Sequence, residues 1–196
     1  MLNIAVFASG RGSNFEALYH AILSQQIAAR IVVVISNNSQ SGALALARSF
    51  SIPAFHISRQ QFENNGAFNH KILETLHAHG AQIVVLAGYM KKVDGAVIRE
   101  FRDRIINIHP ALLPKYGGEG MYGMHVHKAV IDAKEKYSGA TVHVVDEAYD
   151  HGKILLQDIV EVDLNETPES LAAKVLKIEH RILPEVVKLI AEGKLN

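Results

Sequence analysis

The sequence predicts an α/β fold: an open, mostly parallel, twisted sheet with helices on both faces and antiparallel strands toward the C-terminal half. Three observations carry this. Short apolar runs of strand length alternate with stretches of helical spacing, the order of βαβ units. The first run, Leu2 to Ala8, ends in Ser9-Gly10-Arg11-Gly12-Ser13, a tight loop between strand and helix. Late in the chain, Ala140 to Val145 and Ile154 to Val162 alternate like paired strands around the polar stretch Asp146 to Gly152. No repeat, linker or low-complexity segment interrupts the 196 residues, so 1–196 is expected to form a single domain.

The elements follow in order. Asn14 to Leu23 carries Phe15, Leu18, Tyr19 and Ile22 on one helical face. Ile31 to Ile35 is expected to be a strand, Ala43 to Phe50 a helix, and Ala54-Phe55-His56, after Pro53, a short strand. Phe68 to Ala78 reads as a helix. Gln82 to Leu86 reads as a buried strand opening onto Ala87-Gly88-Tyr89-Met90-Lys91-Lys92, and Asp94 to Phe101 as a further helix. The strand through Ile105, Ile106 and Ile108 must stop at Pro110, which has no N–H for the ladder. Asn107 and His109, two residues apart, therefore share one side of the pleat at the strand's carboxyl end, where open α/β sheets bind ligands. Lys115 to Gly123 holds four glycines and reads as a mobile loop beside that site. His127 to Ala133 is a short helix. Thr167, Pro168 and Glu169 suit the cap, first position and positive end of a last helix running through Leu171, Val175, Ile178 and Ile182 to Gly193, with Pro184 a point of kinking or interruption.

Composition narrows the function. Twenty basic residues balance twenty acidic ones, so no field of one sign invites nucleic acid or an anionic membrane, and small-molecule partners are expected. No run approaches the ~18 apolar residues of a membrane span, and Met1-Leu2-Asn3-Ile4 leads into strand pattern without a basic signal region. A cytoplasmic monomer or homodimer is the expectation. The absence of cysteine excludes disulfides, thiolate nucleophiles and cysteine-bound zinc, leaving eleven histidines as the side chains that titrate near neutrality.

Two constellations carry chemistry. Gly10-Arg11-Gly12-Ser13-Asn14 offers backbone N–H groups, a hydroxyl and a helix N-terminus to an anion, which suits a single phosphate. It is not a dinucleotide fingerprint, because Phe15 stands in place of the third glycine and no Asp or Glu occurs from Ala17 to Phe62; it also lacks the Gly-Lys-Ser/Thr ending of a P-loop. Asn107 and His109 alone are equally compatible with structural roles. Asp150, in the polar loop, adds a carboxylate that would raise the His109 pKa toward an imidazolium, and Asn107 a second donor, a set matched to a tetrahedral acyl-transfer oxyanion. With no Cys and no Gly-x-Ser-x-Gly elbow, the nucleophile is expected to be a substrate amine or water. His125 and His127, with His143 as a further candidate, lack a carboxylate at ligand spacing, so no metal site is expected; a substrate contact or a helix N-terminal role suits them better. Glu179, beside His180 in the last helix, lies either on a solvated face or, if turned inward, against a substrate hydroxyl or ammonium.

Taken together, Ser9-Gly10-Arg11-Gly12-Ser13-Asn14, Leu86-Ala87-Gly88-Tyr89-Met90, Asn107-Ile108-His109-Pro110-Ala111-Leu112-Leu113-Pro114, Val142-His143-Val144-Val145-Asp146-Glu147 and Asp150-His151-Gly152 closely resemble the phosphoribosylglycinamide formyltransferases, a family that uses 10-formyltetrahydrofolate in purine synthesis. The resemblance runs from Met1 to about Leu195. It implies a Rossmann-like formyltransferase fold and transfer of the formyl group to the amine of 5-phosphoribosylglycinamide, by direct amine attack through a tetrahedral intermediate, without a metal. By this likeness His109 is general acid and electrostatic stabiliser, Asn107 helps hold the oxyanion, and Asp150 keeps the imidazole charged and helps move a proton through water. The substrate phosphate rests on Gly12, Ser13 and Asn14, with Lys177, Ile178 and Glu179 toward the other end of that substrate. The pterin lies against Tyr89, Met90, Lys91, Lys92 and Val93 and against the backbone of the Asp146 to Asp150 loop, with Asn107, Asp146, Glu147 and Asp150 among the folate-binding residues; His125 and Lys115 lie near substrate. Three features depart from the family pattern. Gly117 to Gly123 lengthens the loop before the His-x-His segment, His151 replaces a common glycine, and Glu63-Asn64-Asn65-Gly66 stands where an arginine often meets the folate tail. Other formyltetrahydrofolate users are the alternatives. Methionyl-tRNA formyltransferase resembles this fold plus a C-terminal RNA-binding domain, and formyltetrahydrofolate hydrolase typically adds an N-terminal regulatory one, neither expected in this chain. A non-catalytic sugar-phosphate binder would give no reason for Asn107, His109 and Asp150 to converge.

Overall fold

A computed structural model of the chain describes residues 1–24, 27–148 and 150–195. Among the described residues seven strands form one sheet in the order β3-β2-β1-β4-β5-β6-β7. β1 (Leu2–Phe7), β2 (Ala29–Ser36), β3 (Ala54–His56), β4 (Ile83–Leu86) and β5 (Ile105–His109) run parallel to their neighbours, while β6 (Tyr137–Val144) and β7 (Ile154–Glu161) pair antiparallel.

The period-2 pattern explains how the sheet divides its side chains. Along β1, Ile4 and Val6 enter one core and Ala5 and Phe7 the other, and all four are at most 1% exposed. The first core is closed by α1 (Ser13–Ser24), α2 (Gly42–Ser49), α5 (Met124–Asp132) and α6 (Pro168–Ala191), through side chains such as Phe15, Leu44, Val130 and Leu171. The second is closed by α3 (Asn65–Ala78) and α4 (Gly95–Glu100), through Ile72, Leu76 and Val97. Among the described residues no helix is long and apolar enough to cross a membrane.

Capping sets several boundaries that periodicity left loose. Asn64 accepts from the Ala67 N–H, so α3 begins three residues before the expected Phe68. Asp94 caps α4 instead of entering it. α5 starts at Met124 after Gly123, which places both His125 and His127 on the helix, ahead of the expected start at His127. α6 passes through Pro184 without interruption; Pro184 is buried, so core contacts outweigh the single helical hydrogen bond its ring forgoes.

The order of the strands makes a crevice. From β1 the chain turns to β2 on one side, and after β3 it returns to β4 on the other, so the loops leaving β1 and β4 diverge. Ser9, just past β1, bridges the gap. Its hydroxyl donates to Asn37 Oδ1 (2.5 Å) and accepts from the Met90 N–H (2.8 Å), tying the glycine loop to the segment that follows β4.

Candidate active site

The crevice deepens into a cavity of about 1010 Å³. That is above the roughly 300–1,000 Å³ usual for one small ligand and leaves room for two side by side. Its floor at one end is the glycine loop. The first helical bond of α1 runs from the Glu16 N–H to the Gly12 carbonyl at 2.8 Å, so the N–H groups before it stand outside the ladder at the positive end of the helix, where an anion is favoured. The loop is seated by close packing. A Cβ on Gly12, whose φ is +86°, would come within 2.8 Å of Ala43 Cα, and one on Gly42 within 2.7 Å of the Arg11 carbonyl oxygen.

Asn14 and Glu179 complete this end. They are 8% and 7% exposed, and Asn14 Nδ2 donates to Glu179 Oε2 at 2.5 Å. Burial pushes the Glu179 carboxyl up to about 7 against the lowering effect of that bond. Asn14 Oδ1 is buried with no hydrogen-bond partner among the described residues. A buried carboxyl and an unanswered amide oxygen together ask for a ligand that both donates and accepts, as a pair of sugar hydroxyls does.

At the other end lie the strand-edge residues. His109 is 3% exposed. Its Nε2 lies 2.8 Å from the Tyr116 carbonyl, which only accepts, so Nε2 carries the proton; Nδ1 faces Asp150 Oδ2 at 3.7 Å. Burial lowers the His109 pKa more than Asp150 and the Tyr116 carbonyl raise it. The expected resting imidazolium is thereby corrected: desolvation at this depth outweighs one carboxylate beyond hydrogen-bonding distance. For Asp150 burial pushes upward, but the His143 contact, the His109 ring and the Gly118 N–H at 2.9 Å together hold it below the ordinary range. Its backbone sits in the left-handed region at φ +56°, which aims the carboxylate back at the two imidazoles.

His143 is the site residue that sequence reasoning weighed only as a metal candidate. It lies directly across the β5–β6 ladder from Asn107. Its Nδ1 donates to the Val144 carbonyl (2.9 Å), and its Nε2 lies 3.1 Å from Asn107 Nδ2 and 3.4 Å from Asp150 Oδ1. Asn107 is thus oriented by His143, and Asp150 lies between two imidazoles. Behind them, Thr141 Oγ1 donates to the Ala111 carbonyl (2.6 Å) and, with Gln157, holds the turn after His109.

A third wall is apolar. Leu86, Tyr89, Met90, Val93, Ile98 and Val145 line it, with the backbone of the 146–148 loop at its rim, a slot suited to a flat heteroaromatic ring. Tyr89 packs edge-on against Phe7 at 5.3 Å, and burial holds its phenol near 12, so it stays neutral. Lys91, Lys92 and Asp146 also reach the cavity, as do Gly118 to Gly123 of the glycine-rich loop.

Six expected site residues do not line the cavity. Lys115 is paired with Glu135 at 2.7 Å, and His125 packs edge-on against Tyr122. Gly12 supplies shape from beneath. Lys177 and Ile178 stand about 200° and 100° around α6 from Glu179, which leaves Lys177 exposed and Ile178 in the core. Glu147 is drawn away by Arg99 at 3.1 Å. Tyr149 lies outside the described residues. His127 lines the cavity with its Nδ1 buried and unpartnered, and burial, reinforced by the nearby His109, lowers it to about 4. Among the described residues no three His, Asp or Glu side chains are grouped to hold a metal ion.

The geometry can be set beside known proteins. The formyl transferase family profile matches residues 2–187. The chain is 40% identical to the chloroplastic phosphoribosylglycinamide formyltransferase of Arabidopsis thaliana, over 98% of its own length and 66% of that protein's, so it spans just under two thirds of this relative. It is 36% identical to the phosphoribosylglycinamide formyltransferase of Bacillus subtilis, over 96% of its own length and 94% of the other. The crystal structure of glycinamide ribonucleotide transformylase 1 from Symbiobacterium toebii superposes with a TM-score of 0.92 at 37% identity, over 98% of this chain and 89% of that one. With the profile covering nearly the whole sheet and helix set, and relatives of matching length at this identity, the chain belongs to the formyl transferase family, among its phosphoribosylglycinamide formyltransferases.

Proposed function

We propose that this chain transfers the formyl group of 10-formyltetrahydrofolate to the amine of 5-phosphoribosylglycinamide, with Asn107, His109 and Asp150 carrying the transfer. The observation that carries the reading is that one cavity joins a phosphate-binding loop and a hydroxyl-seeking pair, Asn14 and Glu179, to an imidazole backed by a carboxylate. The formyl folate supplies the one-carbon group. The apolar wall from Leu86 to Val145 takes its pterin, and the phosphate of the ribonucleotide rests on the loop at Ser13 and Asn14.

The side chains have separable tasks. Asn107, held beside His143, presents an amide N–H to the oxygen that gains charge as the amine attacks. The attacking nitrogen must lose a proton and the leaving nitrogen must gain one. His109 rests neutral with a bare Nδ1, and ionised Asp150 favours the imidazolium once a proton arrives, directly or through water. The protonated ring then serves as general acid. Burial of His109 and its neighbours keeps bulk water from competing with the amine.

The test is a steady-state assay with both substrates, following folate deformylation by absorbance. Deformylation that requires the ribonucleotide is expected. Equal deformylation without it would identify a hydrolase, and none at all a binding protein.

A further inference from the structure

We propose that Tyr116 and Glu135 are positioning residues that hold His109 and Asp150 in register through the turn at residues 116–118; this rests on the catalytic reading of His109.

The turn touches both members of the pair. The Tyr116 carbonyl accepts from His109 Nε2–H at 2.8 Å, and two residues later the Gly118 N–H donates to Asp150 Oδ2 at 2.9 Å. Gly117 between them is closely packed: a Cβ would meet Leu113 Cδ2 at 2.6 Å and Asp150 Cβ at 3.1 Å, so the side chains around the turn would have to shift. One short backbone segment therefore sets which ring nitrogen of His109 is protonated and where the carboxylate opposite Nδ1 lies.

Such a turn needs an outside anchor, because Tyr116 sits at φ +56° and Gly118 at +100°, conformations with no ladder to support them. The anchor is Glu135, between α5 and β6. Its Oε1 accepts from Tyr116 Oη at 3.0 Å and from Lys115 Nζ at 2.7 Å, and these two donors lower its pKa, so it stays an ionised acceptor. The Lys115 arm is 66% exposed and contributes little by itself. The tyrosine hydroxyl is the arm that fixes the residue whose carbonyl meets the catalytic ring.

The experiment compares Tyr116→Phe, Glu135→Ala and Glu135→Gln with wild type in the two-substrate assay, across pH, with ¹⁵N spectra of the His109 ring. Phe and Ala cut the anchor; Gln keeps an acceptor for the hydroxyl and removes only the charge. For Tyr116→Phe and Glu135→Ala, kcat is expected to fall about ten-fold, below the roughly 10²-fold that misplacing a catalytic group by an ångström costs, with both KM values within about two-fold. The double variant is no slower than either single one, since both cut the same bond. The rate limb governed by His109 moves to lower pH, because the Tyr116 carbonyl no longer supports the protonated ring; Asp150, His143 and His127, the other titratable groups around it, are not substituted. The ring spectrum loses its single Nε2–H form. Glu135→Gln stays near wild type. Folded Tyr116→Phe and Glu135→Ala proteins with wild-type kcat, limb and ring spectrum would overturn the proposal, as would a Glu135→Gln loss equal to Glu135→Ala. If wild type itself transfers no formyl group, the functional reading fails instead, and the ring spectra alone decide the anchoring.

Discussion

Replacing Glu179 by Gln is expected to stabilise this protein above neutral pH while damaging substrate binding. The folded chain holds the Glu179 proton up to about pH 7, whereas the unfolded chain releases it near the ordinary carboxylate value of 4.5. Between those values the native state binds more protons than the unfolded one, so stability falls as pH rises, and above pH 7 the full cost of a buried carboxylate is present. A rise of this size corresponds to about 3 kcal/mol. Gln keeps the volume and carries no charge, and its N–H groups find an acceptor in Asn14 Oδ1, which has no partner among the described residues, once the Asn14 amide turns over. Denaturant titrations at pH 5 and pH 8 measure this directly: a gain of about 3 kcal/mol at pH 8 that shrinks toward zero by pH 5. A gain of equal size at both values, or none at pH 8, would refute the burial argument. In the same protein kcat/KM for the ribonucleotide should drop about ten- to a hundred-fold, the cost of one hydrogen bond to a charged acceptor, with the folate KM unchanged. That exchange of stability for binding is the usual mark of a functional buried charge.

Three further outcomes follow from the same geometry. His109→Ala should lower kcat by about 10²-fold or more while the circular dichroism spectrum is retained, as for loss of a proton carrier; a full rate would remove His109 from the chemistry. Asp150→Asn takes away a charge that raises the His109 pKa, so the limb governed by His109 should move to lower pH in a rate profile, and an unmoved limb would reject the coupling. Gly42→Ala places a methyl 2.7 Å from the Arg11 carbonyl oxygen, backbone that must shift. The ribonucleotide KM should rise about ten-fold, one hydrogen bond's worth, with the folate KM unmoved, and equal changes in both would mean that the loop is not the phosphate seat.

The fold was legible because its signals are local. Apolar runs such as Val33 to Ile35 and Ile83 to Leu86 are buried on both faces of a parallel sheet, and they read as unbroken strands between amphipathic helices. Local signals do not report the neighbour of each strand. Nothing in Ala140 to Val145 says that it pairs with β5 as well as with β7, and the β5 pairing is what brings His143 opposite Asn107. Pro184 misled for a related reason: propensity marks it as a breaker, but the packing of α6 against β6, β7 and α1 decides the matter.

The site was legible where side chains do the work and obscure where the backbone does. Asn107, His109, Asp150, Asn14 and Glu179 are residue types that announce their chemistry, and all line the cavity. The contacts that determine how His109 behaves are a carbonyl at 116 and an N–H at 118, which every residue but proline can offer, so no residue type marks them. The same blindness explains the error over its charge. Asp150 is visible in the sequence as a partner that raises the pKa, whereas desolvation is the sum of everything packed around the ring and exists only once β5, β6 and the turn are assembled. A histidine at a strand edge can therefore be located from sequence, but whether it rests charged or neutral is a property of the closed pocket. In the proposed transfer that distinction decides whether His109 first receives a proton or first gives one.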